Sequence, residues 1–279
     1  MSARGGLRWI PPLQLSGCWQ MAIDEWLLDR AVACSRGRDG GRGVLPAAVL
    51  RFYSWSRPTL SLGWHQRHLK PRWLDLQSRG HLQLVRRPSG GRAVLHAGEL
   101  TYALVWPGAP VQRREAYHQA CSWLQSGFAA LGMPLAFGEQ KADPDHPSCF
   151  ASSTAADLVH RGGGKRIGSA QLWRQGVLLQ HGSIQLKPDR ALWRRVLDEE
   201  PPPIPPLDLP TEQLIERLRD AAGQQLNPAS GALQEAPLTP AEWSGIATRL
   251  ERYRVGGGGT TSPEWSIERA TAPRARPSG

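Results

Sequence analysis

Residues 85–105, VRRPSGGRAVLHAGELTYALV, join two apolar runs that each have the length of a strand. Between HLQLV and ELTYALV lie three arginines, two adjacent glycines and a histidine. Adjacent glycines let the backbone turn and approach a ligand closely, because no Cβ intrudes. Arginines supply planar donors that suit a phosphate or a carboxylate. The stretch therefore predicts two core strands joined by a basic, glycine-rich turn; the alternative is a plain hairpin with solvated arginines.

Further strand and helix patterns are interspersed along the chain. AVLRFYSW, TLSLGW, ADLV, KRIGSAQLW and VLLQHGSIQL read as strands, with RQG as a hairpin turn between the last two, and LRWI as a short strand ended by Pro11 and Pro12. Helical spacing occurs in CWQMAIDEWLLDRAVAC, in RWLDLQSRG and over residues 117–132, and two more helices are expected from Thr211 and Pro240. This order predicts an α/β (α+β) fold with mixed sheets flanked by helices.

A change in composition divides the chain after about residue 200. Five prolines occur within residues 201–206, which excludes a helix or a central strand there. We expect a catalytic domain over residues 1–200 and a proline-rich linker with a small helical extension over residues 201–255. Residues 256–279 have too little apolar content to fold and are expected to be a disordered tail.

Charge indicates the kind of partner. The chain has 34 Lys and Arg against 24 Asp and Glu, a net charge of +10, which favours an acidic partner. The arginines are dispersed, and no helix-turn-helix pattern or basic surface with stacking aromatics accompanies them, so we expect no nucleic-acid partner. The sequence has neither a signal peptide nor the ~18 apolar residues of a membrane helix, and we expect a cytoplasmic protein without a membrane partner. The four cysteines form no C-x-x-C pair, and no metal site is expected.

A second glycine-rich segment, GGGKRIGSAQ, delivers Lys165 onto a strand that also holds Gly168 and Ser169. A glycine inside a strand often marks a close approach of the backbone to a ligand. The segment therefore predicts a ligand beside this strand, although a lysine at a strand end is more commonly solvated.

Together these segments resemble the lipoate–protein ligase and octanoyltransferase superfamily. RRPSGGRAVLHAGELTY is similar to its R-R-x-T/S-G-G-G/R-A-V-x-H segment, and KRIGSAQ with LLQHGSI is similar to its K-x-x-G-S-A-Q and L-Q-H-G-S-I strands. QMAIDEWLL and RFYSWSRPTLSLGWHQ resemble its N-terminal helix and first hairpin. The resemblance covers residues 7–186 in family order, and it implies a catalytic domain of the biotin/lipoate protein ligase type.

The resemblance also implies a site. The glycine-rich turn and the lysine strand would line a pocket for a medium-chain acyl group, with basic residues facing polar and acidic parts of the donor. The residues expected to bind substrate are Arg87, Gly90, Gly91, Arg92, His96, Gly168, Ser169 and His181.

One cysteine distinguishes the two chemistries of this superfamily, which are ATP-dependent activation of lipoate by the ligases and acyl transfer through a cysteine thioester. HPSCFASSTAADLV is similar to the C-F-x-x-x-x-x-x-[DE]-L-V segment of the octanoyltransferase and amidotransferase branch, in which that cysteine is the nucleophile. The resemblance therefore makes Cys149 catalytic, and Arg92 in GGRAVLH also fits this branch better than the ligases. A tryptophan and a tyrosine shared by that segment in the family are missing here. Without the resemblance, Cys149 would read as a small buried apolar residue.

The physical chemistry of a thiol agrees with that role. A free thiol, with a pKa of about 8.5, is only slightly ionised near neutral pH, and a nearby ammonium favours the thiolate. Lys165 is the expected catalytic partner of Cys149, and His96 or His181 could assist. The remaining cysteines, Cys18, Cys34 and Cys121, are expected to be inert.

The sequence thus predicts an octanoyltransferase of lipoate biosynthesis that needs no cofactor. The donor would be acyl carrier protein, and the acceptor would be a lysine of a lipoyl-domain protein, such as glycine cleavage H protein or a 2-oxoacid dehydrogenase subunit. Three alternatives remain: an ATP-dependent lipoate–protein ligase, a lipoyl amidotransferase that acts between lipoyl domains, and an inactive scaffold that binds carrier proteins.

Overall fold

The computed structural model describes residues 6–37, 47–138, 157–227 and 233–256. The strands are β1 (Leu7–Leu15), β2 (Ala48–Trp55), β3 (Thr59–Leu62), β4 (Gln83–Arg86), β5 (Val94–His96), β6 (Glu99–Pro107), β7 (Ala136–Phe137), β8 (Asp157–Val159), β9 (Lys165–Arg174), β10 (Val177–Gln185) and β11 (Leu233–Glu235). The helices are α1 (Gly17–Ser35), α2 (Pro71–Ser78), α3 (Arg113–Ala130), α4 (Arg190–Leu197), α5 (Thr211–Leu226) and α6 (Pro240–Ala247), followed by a short 3₁₀ helix (Leu250–Tyr253).

The strands form two sheets. The larger sheet has eight strands in the order β11-β1-β2-β6-β10-β9-β8-β7, and the smaller sheet has three in the order β4-β3-β5. In the larger sheet, β1 pairs in parallel with β11 and β2, and the remaining pairs are antiparallel. This architecture confirms the α/β (α+β) class with mixed sheets flanked by helices.

Helices cover both faces of the larger sheet. On one face, α3 buries Trp123, Leu124 and Phe128 against the sheet, and α5 packs on α3 through Leu214 and Leu218. On the other face, α1 contacts strands of both sheets, and the smaller sheet forms its own core with α2 and α4. None of the described helices combines the length and apolar character that crossing a membrane requires.

Strand β1 continues past the two prolines, so the prediction that it ends there is wrong. Its pairing with β2 runs from Leu7 to Leu15, with a shift of register between Ile10 and Leu13. A proline cannot donate a hydrogen bond to a neighbouring strand, and a register irregularity is one of the places where a sheet tolerates it.

The prediction that RFYSWSRPTLSLGWHQ forms a hairpin is also wrong. Its first strand, β2, pairs with β1 and β6, whereas its second, β3, pairs with β4 and β5 in the smaller sheet. The two apolar runs around the glycine-rich turn separate in the same way, because β4 belongs to the smaller sheet and β6 to the larger one. The glycine-rich turn itself joins β4 to β5, a strand of the smaller sheet that was not predicted from the sequence, and the chain crosses to the larger sheet between β5 and β6.

The segment after residue 200 packs closely on the part of the chain that precedes it. Strand β11 pairs with β1 at the edge of the larger sheet, and the backbone oxygen of Pro205 accepts a 2.5 Å hydrogen bond from the guanidinium of Arg166. The division into a catalytic domain and an extension stays a prediction, and most of the expected tail lies outside the described residues.

We expect Leu218→Ala to lower the free energy of unfolding by about 2–5 kcal/mol, because the leucine is fully buried between α5 and α3. The matched control is Gln213→Ala, an exposed residue on the same helix. Urea denaturation followed by tryptophan fluorescence measures both. An unchanged midpoint for Leu218→Ala would show that α5 contributes little to the core.

Candidate active site

A pocket lies between the two sheets, with about 450 Å³ of empty space that includes open solvent at its mouth. The larger sheet, the smaller sheet with the glycine-rich turn, and α1 all contribute residues to its wall: Met21, Tyr53, Trp55, Ser61, Arg87, Val94, His96, Thr101, Gly168, Ser169, Ala170, His181, Gly182 and Ser183. Apolar and aromatic groups make up much of this wall, and a few polar groups converge on it.

Pairing in the larger sheet places several of these residues side by side. Ser183 lies between Thr101 on β6 and Gly168 on β9, and His181 pairs with Ala170. Directly paired residues project from the same face of a sheet. Gly168 and Ala170 carry little or no side chain, so the backbone of β9 forms part of the pocket wall.

The glycine-rich turn is held by the guanidinium of Arg87. This buried side chain donates to the backbone oxygens of Ser61, Gly90 and Arg92 at 2.6–3.1 Å. Gly91 has a φ of 90°, a left-handed conformation that favours glycine. The turn is therefore not a hairpin with solvated arginines, because Arg87 holds its shape from within.

A buried carboxylate connects the turn to the rest of the site. Asp24, which lies on α1, accepts hydrogen bonds from Arg51 at 2.7 Å and from the hydroxyl of Tyr53 at 3.0 Å. Its other contact is the Nδ1 atom of His181 at 2.9 Å, and the Nε2 atom of His181 lies 2.5 Å from the Oγ of Ser89 in the turn. Burial opposes ionisation of Asp24, but the Arg51 guanidinium and the contact with His181 outweigh it and lower the pKa of this carboxyl.

A second histidine forms a similar chain on the smaller sheet. The Nδ1 atom of His96 lies 2.9 Å from a carboxylate oxygen of Glu99, and its Nε2 atom lies 2.8 Å from the Oγ of Ser61. The ring stacks on Trp55 at 3.8 Å between centroids. Burial lowers the pKa of His96 despite Glu99, so the imidazole is neutral at pH 7 and forms a rigid, uncharged part of the wall.

Lys165 lies beside one end of the pocket, in a buried ion pair. Its ammonium is 3.0 Å from a carboxylate oxygen of Asp157, and both side chains are about 95% buried. Asp157 is the direct partner of Gly168 in the sheet, so the ion pair adjoins the pocket wall. Cys149 lies outside the described residues. The described residues on either side of the segment that contains it, Gly138 and Asp157, lie together, because the backbone N–H of Gly138 donates to the backbone oxygen of Asp157 at 3.0 Å.

The structure brings most of the predicted binding residues together. Five of them line the pocket: Arg87, His96, Gly168, Ser169 and His181. Gly90 lines a second cavity next to it. Gly91 and Arg92 line neither cavity. Their turn is nevertheless continuous with the wall, and substrate contact by any of these residues stays a prediction.

Sequence reasoning assigned no role to several residues that organise the site. They are the acidic residues Asp24, Glu99 and Asp157, together with their partners Arg51, Tyr53 and Ser89. One signal was available for the central pair. Asp24 and Arg51 are charged residues inside otherwise apolar runs, MAIDEW and AVLRFY, and a buried charge requires a partner.

Two of the other cysteines have thiols whose pKa is raised by burial. Burial raises the pKa of Cys18 to about 11 and that of Cys121 to about 12, and both values leave the thiol protonated at neutral pH. Burial at these two positions therefore disfavours thiolate chemistry at neutral pH. Cys34 is partly exposed, at the end of α1.

Residues 17–220 match the lipoyl protein ligase A/B catalytic domain. The chain belongs to that family. An "Octanoyltransferase LipM" of Symbiobacterium thermophilum is 38% identical over 236 residues, which cover 80% of this chain and 76% of the relative. A protein of the same name from Anoxybacillus flavithermus is 35% identical over 268 residues, 89% of each chain.

The fold of this chain is similar to that of solved lipoate protein ligase structures. A bi-partite lipoate protein ligase from Thermoplasma acidophilum superposes with a TM-score of 0.66 at 18% sequence identity, covering 89% of this chain and 92% of that one. At this identity the similarity concerns the fold alone. The family and the fold predicted from the sequence motifs are thereby confirmed.

We expect Asp24→Asn to lower the free energy of unfolding at pH 7 by about 3–5 kcal/mol, because it leaves the Arg51 guanidinium buried without its counter-charge. The folded-state pKa of Asp24 lies below the ordinary value of 3.8, so its stabilisation is present above that pH and is lost as the pH falls through the folded-state pKa. The difference between wild type and variant should therefore shrink below about pH 4.

Urea denaturation at several pH values between 7 and 3 measures this difference. Asp75→Asn is the control, since Asp75 is exposed and its ion pair with Arg79 lies on the surface. A difference that stays constant down to pH 3 would contradict a lowered pKa for Asp24.

Proposed function

We propose that this protein transfers an octanoyl group from acyl carrier protein to a lysine of a lipoyl domain, through a thioester at Cys149. The enzyme class predicted from the sequence, an octanoyltransferase of lipoate biosynthesis, is confirmed by relatives that are 35–38% identical over most of both chains. The observation that carries the rest is the pocket, in which the glycine-rich turn and the lysine strand form walls of one largely apolar cavity.

The proposed reaction has two acyl transfers. The Cys149 thiolate attacks the thioester carbonyl of the donor, and the tetrahedral oxyanion collapses to release the donor thiol, which takes up a proton. The neutral amine of an acceptor lysine then attacks the new thioester, loses a proton, and expels the Cys149 thiolate as the amide forms. No other source of activation is needed, because the thioester is already an activated acyl group.

The ion pair of Lys165 and Asp157 supports a specific role for the lysine. An ammonium held at a fixed position beside the pocket end favours a thiolate near it. The Asp157 carboxylate holds the ammonium in place and also offsets part of its field. The effect of Lys165 on the Cys149 thiol would therefore depend at least as much on where its ammonium is held as on its charge.

The chain's charge fits two acidic carriers. A net charge of +10 favours docking of acyl carrier protein and of a lipoyl domain, such as that of glycine cleavage H protein or a 2-oxoacid dehydrogenase subunit. An ATP-dependent ligase is the less favoured function. The ligase structure of similar fold shares 18% identity with the chain, whereas the relatives above 30% identity carry the octanoyltransferase name.

We expect wild-type protein mixed with octanoyl-acyl carrier protein, without ATP or magnesium, to gain the mass of one octanoyl group at Cys149. Intact-protein mass spectrometry with peptide mapping measures the adduct. Cys149→Ala should form no adduct and transfer no octanoyl group to a lipoyl domain. Cys121→Ala is the matched control and should retain transfer, since burial keeps that thiol protonated.

Each of the other outcomes would indicate a different function for this protein. Transfer that requires free octanoate and ATP would indicate a ligase, and an adduct formed only from an octanoylated lipoyl domain would indicate an amidotransferase. Binding of the carrier without any adduct would indicate a scaffold. Full transfer by Cys149→Ala would remove the thioester mechanism.

We expect Lys165→Ala to raise the pKa of the Cys149 thiol by about one unit or more, because it removes the ammonium and leaves the Asp157 carboxylate. The double variant Lys165→Met, Asp157→Asn removes both charges and should raise this pKa less. The rate of iodoacetamide alkylation at Cys149, followed by peptide mass mapping across pH 5–10, measures the shift.

Circular dichroism controls for loss of fold in both variants. Lys165→Arg should recover little transfer, because a planar guanidinium does not reproduce a compact ammonium. An unchanged pH profile in Lys165→Ala would show that another group ionises the thiol.

A further inference from the structure

One row of residues crosses the larger sheet beneath the pocket. Pairing between neighbouring strands places Tyr53, Thr101, Ser183, Gly168 and Asp157 side by side on β2, β6, β10, β9 and β8. The first four line the pocket. Directly paired residues project from the same face of a sheet, so all five belong to the face that the pocket covers. The row therefore gives the order of the groups of the site from β2 to β8.

Polarity changes along this row. At the β2 end, the pocket is lined by the rings of Tyr53 and Trp55 and by the apolar chain of Met21. At the β8 end, the carboxylate of Asp157 holds the Lys165 ammonium at 3.0 Å. An apolar chain is stabilised among apolar groups, and a thiolate is stabilised beside an ammonium. An octanoyl thioester therefore fits with its chain towards β2 and its carbonyl group towards β8.

The β8 end of the row has room for the reacting atoms. Neighbouring strands are about 4.8 Å apart, so about 10 Å separates the backbone at Asp157 from the backbone at Ser183. Gly168 lies between these two residues and carries no side chain. The ammonium, the attacking sulfur and the carbonyl group can therefore follow one another above Gly168, with the carbonyl oxygen next to Ser183.

The hydroxyl of Ser183 has a proton to donate in that direction. The Nε2 atom of Gln185 donates to the Ser183 Oγ at 3.0 Å and occupies one lone pair of this oxygen. The O–H of Ser183 has no acceptor among the described residues. Both side chains are buried, that of Gln185 completely. A buried donor without an acceptor is costly, so the site favours a ligand that supplies one.

The other polar side chains of the pocket wall are engaged by the protein, with one exception. Neighbouring groups hold the guanidinium of Arg87 and the rings of both histidines. The exception is Thr101, whose Oγ1 accepts from the indole N–H of Trp55 at 2.9 Å. Thr101 lies one strand farther from Lys165 than Ser183 does. Ser183 is therefore the hydroxyl that is better placed for the carbonyl oxygen.

We propose that Ser183 is a catalytic residue of the acyl transfer, whose hydroxyl donates a hydrogen bond to the thioester carbonyl oxygen and stabilises the oxyanion. This inference rests on the proposed function, which supplies the thioester. When the Cys149 sulfur bonds to the carbonyl carbon, the electron pair of the C=O π bond moves to the oxygen, next to the Ser183 O–H. The donor thiolate leaves as the C=O bond forms again. Attack by the acceptor amine repeats this charge at the same oxygen, and Ser183 keeps its proton throughout.

Gln185 is a positioning residue for this hydroxyl. Its amide N–H engages the Ser183 oxygen from the side away from the pocket, so the Ser183 proton is left to point into the pocket. Donors that are oriented before the reaction stabilise an oxyanion best, because no group has to reorganise as the charge forms. Gln185 lines neither cavity, so its effect on the substrate passes through Ser183.

The test measures how fast the octanoyl adduct of Cys149 forms in a single turnover with octanoyl-acyl carrier protein, by quench-flow mass spectrometry. Ser183→Ala should lower this rate about 100-fold or more, which is the usual effect of removing an oxyanion donor. Gln185→Met should lower it about tenfold, because the hydroxyl remains but loses its fixed direction. Ser122→Ala is the matched control, since this serine is partly exposed on α3 and lines neither cavity.

Two further measurements separate an oxyanion donor from a residue that supports the fold or ionises the thiol. Alkylation of Cys149 by iodoacetamide forms no oxyanion, so Ser183→Ala should be alkylated at the wild-type rate. In the octanoyl-enzyme, isotope-edited infrared spectroscopy of the thioester carbonyl reports the hydrogen bond directly. The carbonyl band of Ser183→Ala should lie at higher wavenumber than that of wild type, because a hydrogen bond weakens the C=O bond. The band of Thr101→Val should not move.

Four results, each with a normal wild-type adduct, would overturn the inference alone. They are a loss of rate below tenfold in Ser183→Ala, slower alkylation of that variant, an unmoved carbonyl band, and an equal shift of the band in Thr101→Val. An unmoved band would mean that the Ser183 proton goes to the Gln185 amide, and a shift in Thr101→Val would place the carbonyl one strand deeper. Absence of any adduct in wild type is the failure of the proposed function itself, and the inference fails with it.

Discussion

The buried carboxylate of Asp24 is the contact on which the site depends. It connects α1 to β2 through Arg51 and Tyr53, and to β10 through His181. Through His181 it reaches Ser89, and so holds the glycine-rich turn against the larger sheet. An ionised carboxylate without partners would be costly in this interior, so the arrangement is stable only when all of these elements are in place. The pocket wall is thus assembled as one unit.

The two faces of the larger sheet perform different tasks. The face under α3 is a close-packed apolar core, built from residues such as Trp123 and Phe128. The face under the smaller sheet carries His181, and the pocket lies between this face and the smaller sheet, which carries His96. Polar groups in this second face fix the positions of the turn and of the strands around a cavity. Cavities and buried charges both lower stability, and the close packing of the apolar face offsets this loss.

Local patterns predicted a large part of this protein. The hairpin of β9 and β10 forms as expected, with positive φ at Gln175 and Gly176, and α2, α3, α5 and α6 lie where apolar spacing and turn residues place them. Most of the predicted binding residues also meet in one pocket. The failures concern pairing between distant segments. The sequence around Pro58 predicts two neighbouring strands, but hydrogen-bonding partners elsewhere in the chain draw β2 and β3 into different sheets.

The sequence by itself determined the family. The glycine, arginine and lysine residues of its motifs have chemical roles that can be inferred without knowing which residues they contact in the fold. It also determined which turns can form, because glycine alone accepts certain backbone angles at no cost. Only the tertiary structure decided that Arg87 holds the turn from within, that Lys165 faces Asp157, and that Asp24 joins three elements. These contacts unite residues up to 157 positions apart in the chain. Their formation depends on sheet order and on the shared exclusion of water, which no local pattern encodes.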